Sequence, residues 1–251
     1  MGSGSAGNCT LIRAGRTTVL IDCGFSARET ARRLQGAGRW KEEVSAILLT
    51  HEHSDHVVGA AVASRRWQVP VFCMPRVAAA AGLDQTTTHG LESLNGDPFT
   101  VGDLEITPFG VPHDAPDTVG FVVEAEGIRL VHGSDMGRVT DDVKHRMADA
   151  HVVVVEANHD VDLTRRGPYP WALKRRILGP MGHLSNEAAG HLLAEVVGPR
   201  TEQVLLTHLS RTNNDPALAL LAARAGLERS RRPGAALHLA PQEGPGTVIH
   251  L

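Results

Sequence analysis

Residues 51–56 read HEHSDH and concentrate groups that could bind metal ions. Imidazole and carboxylate ligands suit zinc, manganese or iron better than calcium or magnesium. A tight turn can gather such side chains around a small volume, which a regular helix or strand cannot do. One catalytic zinc ordinarily takes three protein ligands, so two adjacent metal ions account better for this cluster. The candidate ligands in it are His51, His53, Asp55 and His56.

An apolar run over residues 44–49 precedes the cluster and predicts a buried strand, which places the cluster at the carboxyl end of that strand. Ligands in α/β folds gather at strand ends. Other apolar runs end in polar residues in the same way, so we expect those residues to meet the cluster. They are His113 after residues 104–109, Asp135 after 128–132, Glu156 at the end of 151–156, and His208 after 203–206.

These strand-end residues suggest different roles. His113 would supply a third nitrogen to the histidines of the cluster. Asp135 lies near two glycines, which let the backbone approach closely, and its carboxylate could bridge two cations. We expect His132 to be structural, and His89, in the polar and turn-rich residues 84–97, to be exposed.

Two features near the amino terminus have alternative explanations. Asp22, at the end of a strand predicted over residues 17–22, could hold the ligand loop in place or cap a helix predicted over residues 26–34. The glycine- and serine-rich residues 3–8 could form an anion-binding nest of backbone amides, but a plain turn explains that composition better.

The remaining pattern alternates strands and helices, as in an α/β protein. At 251 residues the chain can bury one sizeable core, so we expect a single domain over residues 1–251. The other predicted strands cover residues 9–14, 69–74, 99–101 and 118–124, and the other predicted helices cover residues 57–67, 75–82, 139–147, 186–196 and 214–225.

Composition limits the classes of protein. Hydrophobic residues make up 42% of the chain and charged residues 21%, which argues against disorder. We find neither a signal peptide nor an apolar run long enough to span a membrane. The three cysteines are scattered and odd in number, which fits reduced thiols and a cytoplasmic protein. A net charge of −3 gives no overall positive field, so nucleic-acid binding would need a local basic patch.

The HEHSDH cluster after an apolar strand resembles the His-x-His-x-Asp-His signature of the metallo-β-lactamase superfamily. The resemblance implies a four-layer αββα sandwich, with two mixed sheets flanked by helices, and a centre of two divalent metal ions. Zinc and manganese both accept such a mixed set of ligands. The ligands that it implies are, for one metal, His51, His53 and His113, for the other, Asp55, His56 and His208, and between the two, Asp135.

Further segments resemble the WalJ/YycJ family, and the similarity covers essentially the whole chain. That family is associated with 5′-to-3′ exonuclease activity on double-stranded DNA in the cytoplasm. The chain departs from the family in two places. It begins directly before a Ser-Gly-Ser turn that another strand usually precedes, and His132 stands where an apolar or small residue is expected. The similar segments are residues 3–8, 156–160, 167–170, 173–178, 182–186, 208–210 and 213–214.

Residues 156–157 and 182–186 also resemble the glutamate and histidine motifs of the superfamily's phosphodiesterase branch. Two cations about 3.5–4 Å apart would lower the pKa of a bridging water, whose hydroxide could attack phosphorus in line. His183 is the candidate for stabilising or protonating the leaving oxygen, with Glu156 orienting its imidazole. Alternatively, His183 caps the helix that opens at Ser185. We take His183, Glu156 and Asp55 as the candidate catalytic residues.

A proline-containing segment carries the cations and aromatic rings that nucleic-acid binding uses. Alternatively, its rings pack a long loop onto the body of the protein, and its cations are solvated. The candidate nucleic-acid-binding residues are Arg165, Arg166, Tyr169, Trp171, Lys174, Arg175 and Arg176.

The sequence therefore predicts a metal-dependent hydrolase, foremost a 5′-to-3′ exonuclease acting on double-stranded DNA, with RNA as an alternative substrate. A hydrolase of a lactone, thioester or cyclic phosphodiester would use the same metal centre, but it needs neither the basic segment nor the pair of Glu156 and His183. A non-catalytic scaffold is disfavoured because all seven ligand positions are intact. Neither the native metal nor the oligomeric state follows from the sequence.

Overall fold

The computed structural model describes residues 1–244, 246 and 248–251. Its strands form two mixed sheets that pack face to face, and helices cover both outer faces, which confirms the predicted four-layer αββα sandwich. The strands are β1 (Thr10–Ala14), β2 (Thr17–Ile21), β3 (Ala46–Leu48), β4 (Val71–Cys73), β5 (Leu91–Ser93), β6 (Phe99–Val101), β7 (Leu104–Gly110), β8 (Val119–Ala125), β9 (Ile128–Gly133), β10 (Val152–Glu156), β11 (Gln203–Thr207) and β12 (Ala236–Leu239). The helices are α1 (Ala27–Gly36), α2 (Ser54–Val57), α3 (Ala60–Trp67), α4 (Pro75–Ala80), α5 (Asp141–Met147), α6 (Val161–Arg166), α7 (Trp171–Ile177), α8 (Asn186–Val196) and α9 (Pro216–Arg229).

Each sheet contains a parallel part and an antiparallel part. The first has the order β1-β2-β3-β4-β5, in which β1 is antiparallel to β2 and the remaining pairs are parallel. The second has the order β12-β11-β10-β9-β8-β7-β6, with parallel pairs from β12 to β9 and antiparallel pairs from β9 to β6. Parallel neighbours end at the same edge, so β2 and β3 in one sheet and β9, β10 and β11 in the other each direct their following loops to one place.

Successive side chains along each strand point to opposite faces of its sheet, so each sheet contributes to two layers of the core. Val19 and Ile21 of β2 pack between the sheets with Ile106 and Phe121, whereas Leu20 packs under the helices of its own sheet. The outer core of the first sheet includes residues of α1, α3 and α4, and that of the second includes residues of α5, α8 and α9. None of the helices in the described part of the chain has both the length and the hydrophobicity that crossing a bilayer requires.

The structure differs from the sequence-based elements in four places. The helix predicted over residues 57–67 is broken near its start. Val58 caps the end of α2, and Gly59 caps the start of α3. Residues 84–97 contain the short strand β5, and the segment predicted as a long loop forms α6 and α7. The strand β12 lies beyond the last predicted one. Both missed strands have three or four residues and are largely exposed or half-buried edge strands, so hydrophobic alternation gives little signal for them.

At the edge where the candidate ligands lie, three residues that follow strands adopt left-handed backbone conformations that non-glycine residues rarely take. They are Asp22 with φ +63°, Asp135 with φ +56° and His208 with φ +55°. Such a conformation costs on the order of 1–3 kcal/mol and persists where the surrounding structure enforces it, often at functional sites. Each of the three turns the chain sharply at the edge where the candidate ligands lie.

Gly24 lies where the amino-terminal turn, the end of β2 and the ligand loop meet. Its N–H donates to the carbonyl oxygen of Asn8 at 2.9 Å. A Cβ atom at this position would overlap the backbone carbonyl of Asp55, so the glycine is required by close approach of two backbones.

We expect Gly24→Ala to lower the free energy of unfolding by about 1–3 kcal/mol, because the backbone at Asp55 must move to admit a methyl group. Urea unfolding measures the change. Gly234→Ala is the matched control, since a Cβ there meets nothing within 4 Å, and it should change stability by less than about 0.5 kcal/mol. Equal stabilities of the two variants would show that the backbones are not in such close contact.

Candidate metal centre

Three imidazole nitrogens face one another at the edge of the sandwich. His51 and His53 follow β3, and His113 follows β7. His51 Nε2 lies 3.1 Å from His53 Nδ1, which lies 3.3 Å from His113 Nε2. Bonds of about 2.0–2.1 Å to a tetrahedral zinc place ligand nitrogens about 3.3 Å apart. The spacing of these three nitrogens therefore fits a metal ion.

A second group consists of Asp55, His56 and His208. The Oδ2 atom of Asp55 lies 3.4 Å from His208 Nε2 and 3.6 Å from His56 Nε2. Asp135 connects the two groups, because its Oδ2 lies 3.5 Å from His56 Nε2. His51, His56 and Asp135 likewise offer ligand atoms within 4.8 Å of one another. All seven residues expected from the sequence thus converge, and one carboxylate lies between the two groups.

Glu156 and His183 form a pair beside this cluster. His183 Nδ1 lies 3.1 Å from Glu156 Oε2 and 3.5 Å from Asp135 Oδ1. The other oxygen of Glu156 accepts from the N–H of Leu184 at 3.1 Å, so the buried carboxylate is held on both sides. The helix α8 is capped by Ser185, whose hydroxyl accepts from a backbone N–H. His183 is therefore not the cap, and its imidazole lies within hydrogen-bonding distance of Glu156.

Asp22 holds the ligand loop from behind. One carboxylate oxygen accepts from the N–H of Thr50 at 2.9 Å, and the other lies 2.8 Å from His56 Nδ1. Ser26, and not Asp22, caps α1. His113 is oriented similarly, because its Nδ1 lies 3.0 Å from the carbonyl oxygen of Gly182. A donor hydrogen bond from Nδ1 leaves the lone pair on Nε2, which is the form that a metal ligand needs.

Asn8 is a part of the site that the sequence analysis missed. Its amide Nδ2 lies 3.1 Å from Asp55 Oδ2 and 3.0 Å from His56 Nε2, while its Oδ1 accepts from the hydroxyl of Ser3. The same hydroxyl accepts from the N–H of His208 at 2.7 Å. The turn at residues 3–8 thus connects all three members of the second group. Its glycine-serine composition marked a turn, but nothing in it indicated which residues the turn would contact.

The electrostatics of the cluster favour binding of a cation. Burial, reinforced by His56, holds the pKa of His51 well below its usual range, so this imidazole is neutral. Burial also acts to lower the pKa of His56, but the carboxylates of Asp135 and Asp22 outweigh it and raise that pKa to about 9. Against the effect of burial, His208 and His56 hold the pKa of Asp135 well below its usual range. The buried carboxylates therefore attract positive charge, which a divalent cation can supply.

Three further polar residues lie outside the ligand groups of the described part of the chain. His132 is buried, and its Nε2 lies 3.3 Å from the hydroxyl of Thr10, in agreement with a structural role. His89 is exposed, as expected. Glu52, within the ligand loop itself, has a buried Oε2 without a hydrogen-bond partner among the described residues.

The basic segment forms a partly exposed surface on α6 and α7. Lys174 is the exception and corrects our expectation, because it is only 9% exposed and its Nζ donates to the carbonyl oxygen of Arg165 at 2.8 Å. Trp171 is 60% exposed, so its ring does not pack the segment onto the body. Arg176 forms an ion pair with Asp114, and Tyr169 is half-buried. The cations and the large ring that remain exposed without such contacts in the described structure are Arg165, Arg166, Arg175 and Trp171.

Comparison with known structures supports the architecture. The metallo-β-lactamase fold protein YhfI from Bacillus subtilis superimposes with a TM-score of 0.73 over 96% of this chain and 94% of its own, at 17% identity. Zn²⁺-bound PqqB from Methylobacterium extorquens superimposes with a TM-score of 0.68 over 96% of this chain and 86% of its own, at 20% identity. At these identities the similarity shows a shared fold.

Sequence comparison places the chain more closely. Residues 17–209 match the β-lactamase superfamily domain. Exodeoxyribonuclease YycJ of Bacillus anthracis is 36% identical over 232 residues, which cover 91% of this chain and 88% of that protein. Exodeoxyribonuclease WalJ of Streptococcus pneumoniae is 35% identical over 228 residues, covering 87% and 83%. The chain therefore belongs to the metallo-β-lactamase superfamily of hydrolases and, within it, to the WalJ/YycJ family.

Proposed function

We propose that this protein is a metal-dependent phosphodiesterase that releases nucleotides from the 5′ end of double-stranded DNA. The observation that carries the proposal is the position of His183, which Glu156 orients beside the carboxylate joining two ligand groups. The exodeoxyribonuclease names of the relatives support a DNA substrate. The three free, buried cysteines are compatible with action in the cytoplasm.

Two divalent ions, zinc or manganese, would be held by the chain's seven converging ligands. His51, His53 and His113 form the first site, Asp55, His56 and His208 the second, and Asp135 lies between them. When bound, such ions make a water nucleophilic near neutral pH and neutralise the charge that develops on phosphate oxygens. The lowered pKa of His51 favours its neutral form and the lowered pKa of Asp135 favours its ionised form, which are the forms that bind metal ions.

His183 is suited to act on the leaving oxygen. Its side chain is 19% exposed, whereas that of Glu156 is fully buried, so the imidazole lies at the opening and its partner lies behind it. The Glu156 carboxylate holds Nδ1 and leaves Nε2 free to donate a proton or a hydrogen bond to a departing oxygen. Glu156 thus positions His183, and Asp55 contributes through the second ligand group.

The exposed residues of α6 and α7 would bind the DNA outside the centre. Arg165, Arg166 and Arg175 offer positive charge to phosphates, and Trp171 offers a ring on which a base can stack. Lys174 holds the two helices together through its bond to the Arg165 carbonyl. The chain has a net charge of −3, so binding through this surface would depend on local charge.

Double-stranded DNA labelled at its 5′ end should release a labelled mononucleotide when Mn²⁺ or Zn²⁺ is present, and none with a chelator. Asp55→Ala removes a proposed ligand of the second site and should abolish release and reduce the metal bound per chain. Gel electrophoresis and elemental analysis measure the two effects. If the folded, metal-loaded protein cleaves neither DNA nor RNA, the proposal is wrong, and that result favours a small ester or phosphodiester as the substrate.

His183→Ala should lower the turnover number by about 100- to 10,000-fold, because it removes the group that assists the leaving oxygen. The metal content should stay at the wild-type value, since His183 is outside the two proposed sites. His89→Ala, which removes an exposed histidine elsewhere, is the control. Simultaneous loss of metal and activity in His183→Ala would make His183 a ligand.

The salt dependence of DNA binding tests the α6–α7 surface. Changing Arg165, Arg166 and Arg175 together to alanine should reduce the slope of log affinity against log salt by about 2–3, because each phosphate contact contributes about 0.9. Affinity is measured with a catalytically inactive protein. A control triple variant changes the exposed Arg229, Arg231 and Arg232, which precede β12 at the opposite edge of the sheet. Equal slopes for both triple variants would exclude a specific role of the α6–α7 surface in binding DNA.

A further inference from the structure

An ion pair between Asp114 and Arg176 lies at the rim of the candidate metal centre. The Arg176 guanidinium contacts both carboxylate oxygens, through Nε to Oδ2 and through Nη2 to Oδ1 at 3.2 Å. Asp114 directly follows His113, and Arg176 lies in the last turn of α7. The pair therefore joins the α6–α7 surface to the loop that carries a ligand of the first site.

The ion pair is close to the ligands themselves. Asp114 Oδ1 lies 3.4 Å from His113 Nε2 and 3.9 Å from His53 Nε2. The guanidinium is thus separated from the first ligand group by a single carboxylate. Asp114 chiefly, and Asp55 to a smaller extent, raise the pKa of Arg176.

Stability does not explain this arrangement. The Arg176 side chain is 53% exposed and that of Asp114 is 27% exposed, and ion pairs with such exposure contribute little to folding. A second ion pair, between Arg200 and Asp149, has almost the same side-chain exposure, 60% and 25%. Arg200 lies shortly before β11. Of these two ion pairs, only the one formed by Arg176 adjoins the candidate ligands. Comparison of the two pairs therefore distinguishes an effect of closeness to the centre from an effect of ion pairing itself.

We propose that Arg176 binds the phosphate group at the scissile position, exchanging the oxygens of Asp114 for those of the substrate. This inference rests on the proposed function. The planar guanidinium fork matches two oxygens of a phosphodiester as well as it matches a carboxylate, whereas a lysine would act only as a point charge. Asp114 keeps the fork extended toward the centre until a phosphate displaces it.

The neighbouring cations fit this role less well. Lys174 is buried against the Arg165 carbonyl, and its charge cannot reach the opening without breaking that bond. Arg175 is adjacent in sequence but makes no side-chain contact with Asp114 in the described structure. Arg176, by contrast, is held in place by Asp114, which is the neighbour of the proposed ligand His113.

Binding of thymidine 5′-monophosphate to the metal-loaded protein tests the inference without any contribution from extended DNA. Isothermal titration calorimetry should show binding about 10- to 100-fold weaker for Arg176→Ala, the range expected for loss of a charged hydrogen-bonding group. Arg200→Ala is the matched control and should bind the mononucleotide like the wild type. Turnover of thymidine 5′-monophosphate p-nitrophenyl ester, a small phosphodiester, should likewise fall in Arg176→Ala and stay at the wild-type value in Arg200→Ala.

Asp114→Asn distinguishes phosphate binding from a structural tether. It weakens the ion pair but leaves the guanidinium available, so mononucleotide binding should equal or exceed that of the wild type, with metal content and unfolding midpoint unchanged. Equal losses of binding in Asp114→Asn and Arg176→Ala would make the pair a tether, and loss of bound metal in Asp114→Asn would make Asp114 a ligand. Either result overturns the inference.

The outcomes separate this inference from the proposed function. If the wild type cleaves DNA and Arg176→Ala matches Arg200→Ala in mononucleotide binding and in turnover, the inference is wrong and the proposed function stands. If the metal-loaded wild type neither cleaves DNA nor binds the mononucleotide, the proposed function fails, and the inference fails with it.

Discussion

The carboxylate of Asp22 is the interaction on which the ligand loop depends. It is buried at 2% exposure and bonds to Thr50 at the start of the loop and to His56 at its end. Because β2 and β3 are parallel neighbours, Asp22 leaves the sheet directly beside Thr50. Its left-handed backbone turns the carboxylate toward the loop, and the cost of that conformation is offset by bonds that a buried charge requires. The loop is therefore held in shape by the protein itself.

Charge organises the rest of the centre around this support. The buried carboxylates of Asp22, Asp135 and Glu156 would be unfavourable if isolated, and imidazoles surround them. One end of the cluster consists of imidazoles alone and the other contains Asp55, so the two ligand groups differ in charge although they share Asp135. Residues of the two groups would therefore offer a bound cation surroundings of different charge.

Access to the centre is uneven, and the chemistry of its open side agrees with the proposed substrate. Behind the ligands lie Asp22 and Asn8, both buried. On the open side lie the partly exposed imidazoles of His53 and His183 and, beyond them, Arg176 at the end of α7. A phosphodiester that approaches from this side would meet first the cations of α6 and α7, then Arg176, and finally the proposed metal ligands. The order is one of increasing burial, in which each contact is less screened by solvent than the last.

The sequence by itself indicated most of the strands and the residues that converge at one edge of the sheets, because both follow from local signals. Apolar strands that end in histidine or aspartate predicted His51, His113, Asp135 and His208, and the resemblance to a known family supplied the four-layer arrangement. Short edge strands such as β5 were not predictable, since three residues of which one is half-buried and two are exposed carry almost no periodic pattern. The tertiary structure alone decided that Asn8 reaches Asp55, that Lys174 is buried and that Arg176 pairs with Asp114. Those contacts join residues 9 to 62 positions apart, and only the packing of helices and loops on the finished sheets brings such residues together.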